Sequence, residues 1–258
     1  MLKVVKIGGN VVDAPEKLSA FLHDFAALPG EKILVHGGGK VATTISRSLG
    51  IETQMIGGRR VTDERTLEVV TMVYAGGINK RIVAALQAEG CNAIGLCGAD
   101  ARFILSHRRS PEPVDYGFVG DPDGINTELV ELLTGAGYTL VVAPITSDGK
   151  GTLLNTNADT VAQTVATGLA AAGVEVELVY CFEKQGVLRD IQDEDSVVPE
   201  ITERDFERLK ADGVVDGGML PKLENAFRAI DGGVKRVVIC SAERIASPGY
   251  GGTTLRKA

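Results

Sequence analysis

The amino-acid sequence predicts an α/β fold: a three-layer αβα sandwich whose central sheet is mainly parallel and which divides into two lobes. Short β-branched runs at residues 2–7, 32–36, 92–96, 138–145, 175–180 and 236–240 alternate with segments of helical periodicity. Strand, helix, strand repetition implies right-handed crossovers and a sheet covered on both faces. The 258 residues are 44% hydrophobic and 24% charged. That balance supplies a core able to bury about three quarters of the unfolded surface, which excludes disordered, collagen-like and disulfide-scaffold architectures.

The helices follow from apolar spacing. Residues 15–28 carry Leu18, Phe21, Leu22 and Phe25 at three- and four-residue intervals, and residues 63–89 carry Leu67, Val70, Tyr74, Ile82 and Leu86. Residues 51–61 read as a hairpin around Gly57-Gly58, and residues 99–120 as short extended runs broken by Pro111, Pro113 and Gly117, accessory hairpins or lids. A further helix opens at Asn155-Thr156-Asn157-Ala158-Asp159, its apolar positions being Val161, Ala162, Val165, Ala166 and Leu169. The texture changes near Gly173, after which charged residues at 189–195 and 200–212 interrupt the sheet pattern without a Ser/Gly-rich linker. This divides the chain into lobes at 1–173 and 174–258 that share one sheet. In the second lobe Pro221 marks a helix start, with Leu220, Leu223, Phe227 and Ile230 as its buried stripe.

The formal charge of −7 argues against nucleic acid or anionic lipid as a partner, so an anionic ligand must be held by a local site. Cys91, Cys97, Cys181 and Cys240 form no Cys-x-x-Cys pair, and three histidines are few for a zinc centre. The expectation is reduced thiols and no protein-bound metal. Gly8-Gly9-Asn10 and Asp13 arrive before a signal-peptide core can develop, and no run of about 20 apolar residues lacks charge, which points to a cytoplasmic protein without a membrane anchor.

Two glycine loops, Lys6-Ile7-Gly8-Gly9-Asn10 and His36-Gly37-Gly38-Gly39-Lys40, each follow a strand and lead into a helix. Adjacent glycines let main-chain N–H groups approach an anion, and each helix adds the partial positive charge of its N-terminus. Tight turns also need glycine for no other purpose, but two loops at corresponding strand ends favour a phosphoryl site. Neither is a Walker loop, since Leu34 and Val41 stand where Gly and Ser/Thr belong. Gly37, Gly39 and Ala42 satisfy the Gly-x-Gly-x-x-Ala dinucleotide fingerprint, which keeps a nicotinamide-dependent oxidoreductase open as a competing class.

Lys6 stands in an apolar strand, where an ammonium group is costly unless an anion meets it or the strand lies at an edge. Lys222 falls in a first helical turn, where the helix dipole repels a cation, so a bound phosphate or a neighbour such as Glu224 or Asp216 must relieve it. Asp159, also in a first turn, either answers its helix dipole alone or sits between the two lysines and orients them.

Taken in order, Lys-x-Gly-Gly, His-Gly-Gly-Gly, Gly-x-Arg-Val-Thr, Asn-x-Asn-Ala-Asp and Gly-Met-x-x-Lys-x-x-x-Ala resemble the amino-acid kinase family over essentially the entire chain. The Arg-Val-Thr element matches the branch acting on N-acylated glutamate rather than carbamate, UMP or aspartate kinases. The resemblance implies the amino-acid kinase fold, with ATP-dependent phosphorylation of the side-chain carboxylate of N-acetyl-L-glutamate in arginine biosynthesis. It further implies that residues 1–173 bind the acylglutamate and dimerise while residues 174–258 bind ATP, whose phosphates carry Mg2+. By similarity Lys6 would stabilise the transferred phosphoryl group, Lys222 the leaving β-phosphate and Asp159 would organise both. Gly8 and Gly9 would meet the nucleotide phosphates, with Gly9, Gly38 and Gly39 donating N–H groups to the migrating one. Arg60 and Asn155 would clamp the α-carboxylate, and Gly37 and Gly58 would shape the substrate pocket.

The family's Asp-Val-x-Gly-Val is replaced by Glu183-Lys184-Gln185-Gly186-Val187, preceded by Cys181-Phe182, so adenine and ribose contacts are not carried over. The first strand starts at residue 2, without the extra N-terminal helix of arginine-inhibited members, and a homodimer without hexameric control is expected. An N-succinyl substrate remains an alternative, for which Arg59, Arg102, Arg108 and Arg109 are the candidate extra cations, as does a silent sensor that keeps the fold.

Overall fold

The computed structural model describes residues 1–190, 192–211 and 219–257. In chain order, β1 (Leu2–Ile7) leads into α1 (Gly9–Val12) and α2 (Pro15–Ala27), and β2 (Lys32–His36) into α3 (Gly39–Ser48). A hairpin of β3 (Met55–Ile56) and β4 (Arg59–Arg60) follows. Next come α4 (Glu64–Thr71), a π-helical stretch (Met72–Ile78) and α5 (Asn79–Ala88), then β5 (Ala93–Leu96), β6 (Ile104–Arg108), β7 (Gly120–Ile125), α6 (Thr127–Gly135), β8 (Thr139–Val142), β9 (Ile145–Ser147) and β10 (Leu153–Asn155). The chain continues through α7 (Ala158–Ala171), β11 (Val176–Phe182), β12 (Glu200–Thr202), α8 (Glu203–Ala211), α9 (Leu220–Asp231), β13 (Arg236–Ser241) and β14 (Thr253–Arg256).

Among the described residues the main sheet has eight strands in the order β12-β14-β13-β11-β1-β2-β8-β5. Every neighbouring pair is parallel except β13 with β14. Both faces are covered, which is why all five residues of β2 are buried, with Ile33, Leu34 and Val35 as its apolar run. One core layer gathers Phe103, Leu140, Val165, Leu169, Phe206 and Leu223, and the other Phe21, Phe25, Val70, Ile82 and Leu86. Lys32 is buried in the sheet because its Nζ donates to the carbonyls of Ala26 (2.6 Å) and Leu28 (2.7 Å) at the end of α2, where the helix dipole is negative.

A smaller sheet, β10-β9-β6-β7, stands beside the main one. The hairpin forms as the sequence predicts: Gly57 and Gly58 have φ of 56° and 74°, the paired left-handed conformation that suits a two-residue turn.

Three expectations need correction. The run at 138–145 is two strands: β8 ends at Val142, and Ile145 opens β9 in the smaller sheet. The charged region after 189 adds to the sheet, since β12 pairs in parallel with β14, a C-terminal strand that sequence reasoning missed. The helix at 63–89 carries a π-helical stretch in its middle. By length and composition alone that 25-residue rod would cross a bilayer; instead Val69, Val70, Tyr74, Ile78, Ile82 and Leu86 bury one stripe of it in the core.

Candidate active site

The C-terminal ends of β1, β2 and β11 lie side by side, with Ile7 paired to both His36 and Cys181, so the two glycine loops and Phe182 emerge at one edge of the sheet. In parallel α/β sheets this edge is where ligands bind. The loops touch: a Cβ on Gly37 would stand 3.5 Å from the Gly9 nitrogen, and one on Gly38 would run within 2.3 Å of Ile78 Cδ1.

His36 sets the second loop. It is fully buried, and burial holds its imidazole down at a pKa of about 4, hence neutral at physiological pH. Nδ1–H donates to the Gly37 carbonyl at 2.9 Å, which leaves Nε2 to accept from Asn79 Nδ2 at 3.3 Å. Asn79 also donates to the Val141 carbonyl at 2.9 Å. This chain ties the loop to α5 and β8 and fixes the tautomer. Asn79 had no motif to mark it in the sequence.

Lys6 is 6% exposed in a central strand, not at an edge. Its Nζ lies 2.6 Å from Asp159 Oδ1, an ion pair that offsets its desolvation although the alignment is not that of a hydrogen bond. Asn157 caps α7 by accepting from the Asp159 and Thr160 nitrogens (2.8 and 3.1 Å), and the Tyr180 hydroxyl donates to the Asp159 carbonyl at 3.3 Å. Lys222, in the first turn of α9, approaches from more than 200 residues after Lys6 in the sequence. Its Nζ lies 3.9 Å from the centroid of the Phe182 ring, and Lys6 Nζ lies 5.3 Å from the same ring. Burial pushes the Lys222 pKa down; the Asp159 charge opposes the shift, Lys6 adds to it, and Glu183 opposes it.

These groups line a cleft of about 720 Å³ that includes Lys6, Gly8, Gly9, Gly39, Arg60, Phe182 and Lys222. A pocket of about 200 Å³ adjoins it, sharing Gly39, Met55 and Arg60, and holds Gly37, Gly38, Gly58 and Asn155. Arg60 is 9% exposed; Nη2 donates to the Gly39 carbonyl (2.9 Å) and Thr43 Oγ1 (2.8 Å), and Nη1 to Thr53 Oγ1 (3.1 Å). Asn155 Nδ2 donates to Thr62 Oγ1 at 3.0 Å. Of the eleven site residues expected from the sequence, ten line one connected depression and Asp159 stands against its wall beside Lys6.

Arg59 and Arg109 also line the smaller pocket, and Arg109 is held by a two-point ion pair with Asp121. Arg102 and Arg108 do not line it. Asp216, Gly217 and Gly218, part of the last motif, lie outside the described residues. Phe182 carried no expectation beyond its departure from the family pattern, yet both ammonium groups lie over its ring.

Residues 1–241 match a family model described as the amino acid kinase family. The acetylglutamate kinase of Cytophaga hutchinsonii is 56% identical over 245 residues, 95% of this chain and 92% of the relative. That of Bacteroides thetaiotaomicron is 55% identical over 244 residues, 95% of each. Among solved structures, N-acetylglutamate synthase from Neisseria gonorrhoeae, complexed with coenzyme A and N-acetyl-glutamate, superposes with a TM-score of 0.84 at 20% identity, over 100% of this chain and 59% of that one. Carbamate kinase from Giardia lamblia gives 0.68 at 15% identity, over 100% and 98%. At such identities the structural likeness speaks to the fold alone.

Proposed function

The chain belongs to the amino acid kinase family, and we propose that it is an acetylglutamate kinase, transferring the γ-phosphoryl group of ATP to the side-chain carboxylate of N-acetyl-L-glutamate in arginine biosynthesis. The observation that carries this reading is the convergence of Lys6 and Lys222, distant in sequence, on one cleft beside two glycine loops. Relatives bearing that name at 55–56% identity over nearly the whole length support the substrate.

The nucleophile needs no base, because a side-chain carboxylate with a pKa of about 4.3 is ionised at neutral pH. His36, neutral and engaged at both ring nitrogens, moves no proton. The rate enhancement then rests on positioning and charge neutralisation. Arg60 and Asn155 hold the α-carboxylate in the smaller pocket shaped by Gly37 and Gly58, which aims the side-chain carboxylate at the glycine loops. Gly9, Gly38 and Gly39 donate main-chain N–H groups to the migrating phosphoryl group, and Gly8 opens the turn for the nucleotide phosphates. Lys6 neutralises charge on the transferred group and Lys222 on the leaving β-phosphate, while Asp159 orients Lys6. Mg2+ enters with ATP, bound to its phosphates. In-line displacement gives N-acetyl-L-glutamyl 5-phosphate and ADP.

Residues 1–173 form the acylglutamate lobe and residues 174–258 the ATP lobe. The protein acts in the cytoplasm as a homodimer, for which the edge of β5, unpaired among the described residues, and Met72, 59% exposed on the long rod, offer surface. Incubation with Mg-ATP and N-acetyl-L-glutamate, with hydroxylamine to trap the acyl phosphate, tests the reading. Hydroxamate forming only with both substrates supports it; tight ATP binding without hydroxamate would favour a sensor, and product from N-succinyl-L-glutamate alone would move the acyl preference.

A further inference from the structure

We infer that Phe182 is a positioning residue for the phosphoryl transfer: its ring face holds the Lys222 ammonium group, and at longer range that of Lys6, in place over the cleft without neutralising either. The inference rests on the roles proposed above for the two lysines and adds the element that brings them together.

The geometry is specific. Lys222 Nζ stands 3.9 Å and Lys6 Nζ 5.3 Å from the same ring centroid, both inside the range of about 6 Å over which the negative face of an aromatic ring attracts a cation. The ring is itself held: it stacks on Tyr180 at 6.0 Å with an interplanar angle of 7°, and the Tyr180 hydroxyl donates to the Asp159 carbonyl at 3.3 Å. Tyr180 and Phe182 sit two apart on β11 and share one face of the strand. A continuous ladder thus runs from the first turn of α7 through two stacked rings to the cation on α9.

An aromatic ring suits this task better than a carboxylate. Within their own cluster the two ammonium groups and the single carboxylate of Asp159 leave one net positive charge for the migrating phosphoryl group, beside Lys40, Arg47, Arg60 and Glu52 elsewhere on the cleft lining. A second acid in place of Phe182 would cancel it and compete with phosphate for the ammonium N–H groups. A ring face attracts the cation but accepts no strong hydrogen bond, so those donors stay free for phosphate oxygens. Phe182 also forms a wall. Together with Asn10 it is common to the linings of the cleft and of a neighbouring cavity of about 340 Å³ that carries Glu16, Asp24, Glu183 and Glu243. The ring therefore keeps Lys222 on the phosphate side of a partition whose other side is acidic.

The test compares Phe182→Leu, Phe182→Tyr and a series in which residue 182 is replaced by mono-, di- and trifluorophenylalanine. Fluorination weakens the negative ring face while almost preserving shape. Phe182→Leu is expected to lose about tenfold in kcat, with little change in KM for N-acetyl-L-glutamate, and Phe182→Tyr to recover most of it. In the fluorinated series kcat should fall stepwise with fluorine count while Tm stays level. Constant kcat across that series, or equal kcat for Leu and Tyr, would overturn the inference and leave Phe182 as packing. Failure of the underlying reading is distinguishable, since it would appear as undiminished kcat in Lys222→Ala itself.

Discussion

Acidification should destabilise this protein through one buried imidazole. His36 is fully buried and engaged on both sides, donating to the Gly37 carbonyl and accepting from Asn79. Burial is the main cause that depresses its pKa from 6.5 to about 4; the Gly37 carbonyl opposes the shift, and the charge of Lys80 adds to it. Protonation at Nε2 would set two N–H donors against each other across the Asn79 contact. For a group depressed in the folded state, the associated stability is fully present above the unfolded value of 6.5 and is lost as pH falls through the folded value. A difference of about 2.5 units corresponds to about 3 kcal/mol in full, of which about 2 kcal/mol is gone by about pH 5. His36→Gln keeps an acceptor for Asn79 and cannot titrate. Urea unfolding of both proteins at about pH 7.5 and about pH 5 should therefore show the wild-type advantage shrinking by about 2 kcal/mol. An advantage that stays constant with pH would refute the assignment of His36 as buried and neutral.

The Tyr250 hydroxyl donates at 2.7 Å to Glu177, a carboxylate only 2% exposed, with Arg236 Nη1 3.3 Å from its other oxygen. Tyr250→Phe should cost about 2 kcal/mol and lower Tm by several degrees in a thermal melt without altering KM, because the cluster lies away from the cleft. Gly38→Ala would force a Cβ within 2.3 Å of Ile78 Cδ1, and an overpacking cost of about 1–3 kcal/mol should accompany a fall in kcat/KM measured by ADP release. Arg60→Lys removes the forked donors that meet Gly39, Thr43 and Thr53. Its main effect should be a raised KM for N-acetyl-L-glutamate with kcat changed less, as expected where binding is lost equally from ground and transition states.

Much of this could be read from the residues alone because the physics is local. Each of the six runs anticipated as strands forms β structure, two with the expected bounds, three with small shifts at their ends and the run at 138–145 as two strands, because buried parallel strands announce themselves as continuous apolar runs. Gly57-Gly58 specified its own turn through positive φ. The misses come where burial is settled by tertiary partners. β14 is short and polar, and it exists because β12 and β13 pair on either side of it. Pro144 ends one strand of the main sheet just before Ile145 joins the other sheet, which hydropathy cannot separate.

Within the site, Lys6 and Lys222 were legible because a cation in an apolar strand or at a helix N-terminus is locally unfavourable and so asks for a partner. Asn79 and Phe182 were not, since an amide on a helix and a phenyl at a strand end are locally unremarkable. Their meaning comes from His36 and the two ammonium groups, which only folding brings to them.

The central claim is that Lys6 and Lys222 act together on one phosphoryl group. Steady-state kcat at saturating Mg-ATP and N-acetyl-L-glutamate, measured for Lys6→Ala and Lys222→Ala against the wild type, tests it most directly. The expected result is a loss of about a hundredfold or more in each variant with the fold retained, as when a donor aimed at developing charge is removed. Wild-type turnover in either one would contradict the claim.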